Sequence, residues 1–332
     1  NFNMIRNWVG QVGDEEFYEA CDRHGVMIWQ DFWLANPWDG PDPYYPEMFL
    51  DNAKDYVKRI RNHASLAIYV GRNEGMPPAQ IDKELREDII PQLHPGMCYI
   101  PHSAAGSVSG GGPYRALDPK AYYSLHGHNK MHSERGAPNV MTYENLLRTF
   151  GPDRLNPVNT AEHPNNMYGL HDYTLTSAQG ADSFNKIIAK AFGEPKDAAE
   201  FAKYAQLINY NTYRAIFEAR SEYRRGMILW MSHPAWPSMV WQTYDYYFEP
   251  TGTYFGCKKA CEPLHIQWNP ASDNVEVVNY HTCDHTGLTA KAQVVNLYGK
   301  VEWEKEAVID IKDDATVICF PLEFPETLTE TY

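Results

Sequence analysis

The first three quarters of the chain alternate between short apolar runs and longer segments whose apolar residues recur at helical spacing. The apolar runs predict strands at residues 3–8, 26–32, 66–70, 98–100, 130–133 and 227–231. The periodic segments predict helices that begin near Asp14 and Pro46, and further helices at residues 79–93, 197–223 and 254–261. Strands that alternate with helices in this way form parallel sheets covered by helices, so the pattern predicts an α/β fold.

Two α/β architectures fit this pattern, and the sequence favours a (β/α)8 TIM barrel over a doubly wound sheet. No glycine-rich phosphate-binding turn leads from a strand into a helix, whereas polar residues cluster just after several strands. The glycine-rich run at residues 109–113 precedes no helix and is predicted to be a loop. After Pro263 the pattern changes to short β-rich stretches, which predict a small immunoglobulin-like β-sandwich. We therefore expect a barrel domain at residues 1–263 and a sandwich at residues 264–332.

The composition narrows the classes of function. The chain has 332 residues, 43% of them hydrophobic, and a net charge of −14, so no basic field is available to attract nucleic acid. Its apolar runs are too short for a membrane span. Aromatic residues make up 14% of the chain, and their flat faces suit sugars. The chain opens at Asn1 without a signal region, so we expect a preceding segment to have been removed.

Metal binding is not expected from the sequence. Cys257 and Cys261 lie one helical turn apart with no second pair, which favours buried free thiols over a zinc site. His126 and His128 alternate as residues on a strand do, and His132 follows them. No zinc-binding helix motif accompanies these histidines, so substrate contact or ordinary packing is the preferred interpretation. No metal or organic cofactor is expected.

Three predicted strands end in acidic residues: Asp31, Glu74 and Glu134. The carboxyl ends of the strands of a barrel surround one opening, called the mouth here, and the catalytic residues of barrel enzymes lie at this end. Two glutamates there would suit a retaining glycosidase, which requires its carboxyl groups roughly 5 to 5.5 Å apart. Solvated side chains or helix caps remain the alternative for each acid taken alone.

Several motifs in order resemble the barrel of glycoside hydrolase family 2. They are Asn3-Met4-Ile5-Arg6-Asn7-Trp8, the segment Phe17 to Gly25, Trp29-Gln30-Asp31-Phe32, Gly71-Arg72-Asn73-Glu74-Gly75 and Ser133-Glu134-Arg135-Gly136. The stretch from Trp236 to Pro263 resembles the branch that holds exo-β-glucosaminidases, β-mannosidases and plant endo-β-mannosidases. The resemblance implies a barrel followed by a sandwich, and a retaining hydrolase acting on glycans.

Carried over residue by residue, the resemblance implies that Glu74 is the general acid/base and Glu134 the nucleophile. Asn73 would hold the hydroxyl at sugar C2, and Arg6 and Trp8 would line the mouth. Glu134 would attack the anomeric carbon while Glu74 protonates the leaving oxygen, and Glu74 would then activate water.

Other residues near the mouth have two interpretations. Trp230 and Trp236 would either contact sugar or pack within the protein, and His126 would contact substrate. Asp31 would bind a substrate hydroxyl or hold Arg6 or Arg72 in place.

The resemblance also implies N-terminal domains ahead of the barrel and places Asn1 at the second barrel strand, so we expect that either the chain is a fragment or another polypeptide completes the barrel. We therefore expect an exo-acting β-glycosidase, secreted or periplasmic, on β-mannoside or β-glucosaminide glycans. The neutral amide of Asn73 favours the mannoside. A non-catalytic carbohydrate-binding fragment and, more weakly, a metal-dependent hydrolase are the rival hypotheses.

Overall fold

A computed structural model describes residues 2–9, 11–126, 129–176, 180–219, 223, 225–326 and 328, without the side chain of His126. The chain forms two compact units. The first comprises Asn1–Gly111, Lys130–Arg135 and Gly226–Ile228. The second comprises Gly112–Asn129, Gly136–Arg225 and Leu229–Tyr332.

The strands of the first unit follow one another in chain order. One sheet has the order β1 (Met4–Asn7), β2 (Met27–Asp31), β3 (Leu66–Arg72) and β4 (Cys98–His102). The other has the order β5 (Val108–Ser109), β6 (Met131–Arg135) and β7 (Met227–Leu229). The pairs β1–β2, β2–β3, β3–β4 and β5–β6 are parallel. The parallel α/β organisation predicted from the sequence is confirmed.

The helices of the first unit lie between these strands in sequence. They are α1 (Glu15–His24), α2 (Pro46–Ile60), α3 (Ala79–Glu84), a π-helical turn (Leu85–Ile89) and α4 (Ile90–Leu93). Helix α1 ends at Gly25, whose φ of 66° is left-handed and whose N–H donates to the carbonyl of Cys21. Pro46 begins α2, where its missing N–H costs no hydrogen bond.

Alternation along the strands sorts their side chains into two cores. Ile28 and Tyr69 join the cluster that includes Val57 and Ile60 of α2. Trp29 packs instead in a second cluster with Val70 and Val108, and Met4 and Ile68 lie against it. Because side chains two residues apart on a strand share a face, Arg6 and Asp31 lie on the same face as Met4 and Trp29. Two polar groups are therefore placed at the strand ends beside an apolar interior.

The second unit begins with helices. They are α5 (Pro119–His126), α6 (Tyr143–Phe150), a 3-10 turn (Pro152–Arg154), α7 (Asn166–Leu170), α8 (Ala181–Phe192), α9 (Ala198–Glu218) and α10 (Gly252–Ala260). Gly252 and Gly256 bring α10 onto α9, since a Cβ there would lie 2.1 Å and 2.3 Å from the carbonyl oxygens of Gln206 and Tyr210. The prediction that His126 lies on a strand is wrong, because it ends helix α5.

The rest of the second unit is antiparallel β-structure. Its strands are β8 (Leu264–Asn269), β9 (Asn274–Asn279), β10 (His285–Val295), β11 (Val301–Ile311) and β12 (Ala315–Pro321). They form a three-stranded sheet of order β12-β9-β8 and a hairpin of β10 and β11. Both sheets contribute to one core that includes Val277, Ala290, Ile311 and Phe320. The domain boundary after residue 263 stays a prediction.

None of the helices in the described part of the chain combines the length and apolar character that crossing a bilayer requires.

Candidate active site

Arg6 lies at the centre of a group of buried polar side chains at the carboxyl ends of the strands of the first unit. Its Nη2 donates to Asp31 Oδ2 at 2.7 Å and to Asn73 Oδ1 at 2.6 Å, and its Nη1 donates to Glu134 Oε1 at 3.4 Å. Trp29 Nε1 donates to the other oxygen of Asp31 at 2.7 Å. The side chains of Arg6, Asp31 and Glu134 are 4%, 0% and 1% exposed. Carboxylates buried this deeply need such cationic and N–H partners.

Glu74 is held by residues from three loops. Its backbone N–H donates to Ser103 Oγ at 3.0 Å, and that hydroxyl donates to Asn73 Oδ1 at 3.1 Å. Asn36 Nδ2 donates to Glu74 Oε2 at 3.0 Å, and Asn73 Nδ2 donates to Asn36 Oδ1. The φ of Glu74 is +46°, a left-handed conformation that costs a non-glycine residue on the order of 1 kcal/mol. The surrounding bonds therefore maintain a strained backbone at a carboxylic acid.

The two glutamates belong to one hydrogen-bonded network. Glu134 accepts from Arg6, Arg6 donates to Asn73, Asn73 donates to Asn36, and Asn36 donates to Glu74. Each side chain in this path orients the next, which favours a single arrangement of the two carboxyl groups. Five residues predicted from the sequence therefore meet here, namely Arg6, Asp31, Asn73, Glu74 and Glu134.

The loop after β5 passes close to both ends of this network. A Cβ at Gly110 would lie 2.7 Å from Ser133 Oγ, and one at Gly111 would lie 3.3 Å from Glu74 Oε1. Gly111 also has a φ of +79°, which favours glycine. Adjacent Cα atoms are only about 3.8 Å apart, so residue 133 and Glu74 approach the same short stretch of chain. The glycine-rich run therefore forms part of the wall of the site.

Electrostatics stabilise the charged form of Arg6. Burial lowers the pKa of its guanidinium, but the carboxylates of Asp31 and Glu134 outweigh burial and raise that pKa above its ordinary value. Arg6 is therefore a permanent cation between two acidic side chains. Its positive charge lies 3.4 Å from Glu134 Oε1, with which it forms a buried ion pair.

Two of the predicted tryptophans lie in the second unit. Trp230 contacts the ring of Trp241 with 5.8 Å between centroids, and Trp236 stacks on His171 at 5.7 Å. Trp8 belongs to the first unit, directly follows β1 and is 38% exposed. Sugar contact by these three tryptophans stays a prediction.

The histidine cluster is described only in part. The side chain of His126 and the whole of His128 lie outside the described residues. His132 is buried on β6, and its Nδ1 lies 2.8 Å from the hydroxyl oxygen of Ser109. Through this contact His132 links β6 to β5.

Four residues of the site were not identified from the sequence: Asn36, Ser103, Gly110 and Gly111. Two of them have position as a sequence signal, since Ser103 directly follows β4 and Gly110 directly follows β5. Asn36 comes five residues after the end of β2, where no spacing rule marks it.

Comparison with known proteins shows clear relatives. The chain is 29% identical to mannosylglycoprotein endo-β-mannosidase of Lilium longiflorum, over 92% of this chain and 37% of the relative. It is also 29% identical to an exo-β-D-glucosaminidase of Streptomyces avermitilis, over 90% of this chain and 36% of the relative. The resemblance to glycoside hydrolase family 2 is confirmed. The chain spans little more than a third of the length of these relatives, and no family model matches it.

Solved structures show the same fold. The exo-chitosanase of Amycolatopsis orientalis superimposes with a TM-score of 0.85 over 98% of this chain and 42% of that protein, at 24% identity. A β-D-mannosidase from Dictyoglomus thermophilum superimposes with a TM-score of 0.80 over 98% of this chain and 43% of that protein, also at 24% identity. The two enzymes share one fold with this chain while their names specify different sugars.

Proposed function

We propose that the protein is a retaining β-glycosidase in which Glu134 is the nucleophile and Glu74 the general acid/base. The observation that carries the proposal is the single hydrogen-bonded network that joins the two glutamates through Arg6, Asn73 and Asn36. The names of the relatives, all glycosidases, support the same reaction class. The proposed fold of the complete catalytic domain is an eight-stranded barrel, with the sandwich at residues 264–332 after it.

In each half of the reaction a different glutamate acts as the carboxylate. Glu134, kept ionised by the charge of Arg6, attacks the anomeric carbon and forms a glycosyl ester, while protonated Glu74 gives its proton to the leaving oxygen. Glu74 is then a carboxylate and removes a proton from water. The water oxygen attacks the anomeric carbon of the glycosyl ester, and the bond to Glu134 breaks. Asn36 donates to Glu74 Oε2 and so helps to orient this carboxyl group. Asp31 contributes by positioning Arg6.

The hydrogen bonds of Asn73 favour a hydroxyl at C2 of the sugar. Its Oδ1 already accepts from Arg6 and Ser103, so only its Nδ2, which donates one bond to Asn36, has a further N–H for substrate. A hydroxyl oxygen accepts such a bond, whereas an ammonium group has no lone pair to accept it. Asp31 is fully buried against Arg6 and Trp29, so its charge is committed within the protein. A β-mannoside is therefore the proposed substrate rather than a β-glucosaminide.

Two variants test the roles of the glutamates in the full-length protein. Glu134→Gln should abolish hydrolysis of 4-nitrophenyl β-mannoside, because an amide cannot form the glycosyl ester. Glu74→Ala should regain rate with azide, which enters the space of the lost carboxyl group and attacks the intermediate. Glu19→Gln, an exposed glutamate on α1, is the control and should match wild type. Wild-type rates in both active-site variants would refute the assignment, and sugar binding by an inactive wild-type protein would support the carbohydrate-binding alternative.

The sugar is tested by comparing kcat/KM on 4-nitrophenyl β-mannoside and 4-nitrophenyl β-glucosaminide. A preference for the mannoside is expected. A preference for the amino sugar that is lost in Asp31→Asn would overturn the argument from Asn73. Export to the periplasm or the medium, and action at chain ends, remain predictions.

A further inference from the structure

A group of metal-binding side chains lies in the β-structure of the second unit. Among the residues that the structure describes, His281, Cys283 and His285 bring a ligand atom each to within 4.8 Å of one another. They occupy the connection between β9, which ends at Asn279, and β10, which begins at His285. Residues 281–283 form a bend that leads into β10, and this bend brings the three side chains together.

We propose that His281, Cys283 and His285 bind a zinc ion. Tetrahedral zinc has Zn–N distances of about 2.0 to 2.1 Å and Zn–S distances of about 2.3 Å, which set ligand atoms about 3.4 Å apart for two nitrogens and about 3.6 Å apart for nitrogen and sulfur. The structure has 2.9 Å between His281 Nδ1 and His285 Nε2, and 3.9 Å between Cys283 Sγ and His285 Nε2. The first distance is shorter and the second slightly longer than these values, and all three ligand atoms lie within 4.8 Å of one another, so side-chain adjustments would bring them to the zinc geometry.

The chemistry of the ligands selects the metal. One thiolate and two imidazoles suit zinc and its neighbours in the transition series, whereas Ca²⁺ and Mg²⁺ require oxygen ligands. Cys283 is exposed and both histidines are half-buried, so a fourth position is accessible to water. On binding, the Cys283 thiol forms a bond to zinc through sulfur and releases its proton to solvent.

The backbone around the ligands is held in place before any metal binds. Asn279 is fully buried, and its Nδ2 donates to the carbonyl oxygens of Cys283 and Lys312, both at 2.9 Å. Its Oδ1 accepts from the N–H of His281 at 2.9 Å. The carboxylate of Asp284, between two ligands in sequence, is paired with Lys312 at 2.5 Å. A connection with these anchors loses little conformational entropy when it binds a metal.

Titration of the reduced, metal-free, full-length protein with Zn²⁺ tests the proposal. Calorimetry should give one site per chain, and Cys283→Ser should weaken binding at least about tenfold because the thiolate is lost. Cys98→Ser removes another exposed free cysteine, on β4, and should bind as wild type does. His281→Asn should weaken binding in the same way as Cys283→Ser.

Cobalt gives a second readout, and its wild-type measurement does not depend on how Cys283→Ser folds. Wild-type protein with one equivalent of Co²⁺ should show a thiolate-to-cobalt charge-transfer band, and Cys98→Ser should show the same band. Absence of this band in folded wild-type protein, or equal zinc affinity in Cys283→Ser and Cys98→Ser, would overturn the proposal. Hydrolysis of aryl glycosides should be unchanged in Cys283→Ser, so the outcome is separate from that for Glu74 and Glu134.

Discussion

The guanidinium of Arg6 donates a hydrogen bond to the carboxylate of Glu134, with 3.4 Å between Nη1 and Oε1. The two residues are 128 positions apart in the chain, on strands of different sheets. The same guanidinium contacts Asp31 on β2 and Asn73 after β3. One side chain therefore sets the relative positions of groups from three separate segments, and its planar fork of donors is what makes this feasible.

Arg6→Lys is expected to lower kcat/KM about 100-fold, since an ammonium keeps the charge but cannot contact Asp31, Asn73 and Glu134 in one plane. The rate is measured on 4-nitrophenyl β-mannoside in protein whose circular dichroism matches wild type. Arg59→Lys is the control, because Arg59 is an exposed arginine that donates to the carbonyl of Gly13. Equal rates in the two variants would show that Arg6 does not organise the site.

Gly111→Ala is expected to reduce kcat/KM about tenfold, because the added methyl would lie 3.3 Å from Glu74 Oε1 and displace that carboxyl group. Gly96→Ala provides a matched control. Gly96 has a φ of +82° against +79° for Gly111, but a Cβ there has open space around it.

Both glycine variants should lose a similar free energy of unfolding, about 1 kcal/mol, because an alanine is strained at positive φ. Urea denaturation measures this cost separately from activity. If Gly96→Ala lost as much activity as Gly111→Ala, backbone strain rather than contact with Glu74 would explain the effect.

Asp22→Asn is expected to lower the free energy of unfolding by about 1 kcal/mol at pH 6, and by much less at pH 3. Burial raises the pKa of Asp22, but hydrogen bonds from Ser65 and His63 outweigh it and hold the pKa below its ordinary value. A depressed pKa stabilises the folded protein above the unfolded-state pKa of about 3.9, and this stability is lost as the pH falls through the folded-state pKa.

Urea denaturation of wild type and Asp22→Asn at the two pH values measures this difference. The control is Asp51→Asn, whose carboxylate is exposed and pairs with Lys54 at 3.4 Å, and it should change stability little at either pH. A destabilisation by Asp22→Asn that did not vary with pH would rule out the proposed charge contribution.

Much of the site could be predicted because most of its polar side chains lie at or just after the ends of strands. Arg6 and Asp31 lie on paired parallel strands and Asn73 directly follows the next strand, so strand pairing places these three near one edge, whereas Glu134 lies on a strand of the other sheet. The apolar runs that mark these strands are strong local signals. Glu134 differs in one detail, since β6 continues through it to Arg135 instead of ending before it.

The rest of the site depends on how loops fold back. Asn36 reaches Glu74 from a loop that begins after β2, and only the folded path of that loop shows the contact. The sequence predicts that the glycine-rich run after β5 is a loop, but the approach of this loop to Glu74 depends on tertiary contacts that local spacing does not encode. The same limit explains His126, because the alternation of two histidines around one glycine also fits the end of a helix.

The most direct test of the central claim is to trap the covalent intermediate. The full-length protein is incubated with 2-deoxy-2-fluoro-β-mannosyl fluoride, whose fluorine at C2 slows breakdown of the glycosyl ester while fluoride leaves readily. Mass spectrometry of the intact protein and of its peptides then locates the label. One fluorosugar per chain on Glu134, absent from Glu134→Gln and present in Glu19→Gln, is the predicted result. A protein that hydrolyses β-mannosides yet carries the label on Glu74, or on no carboxylate, would contradict the account.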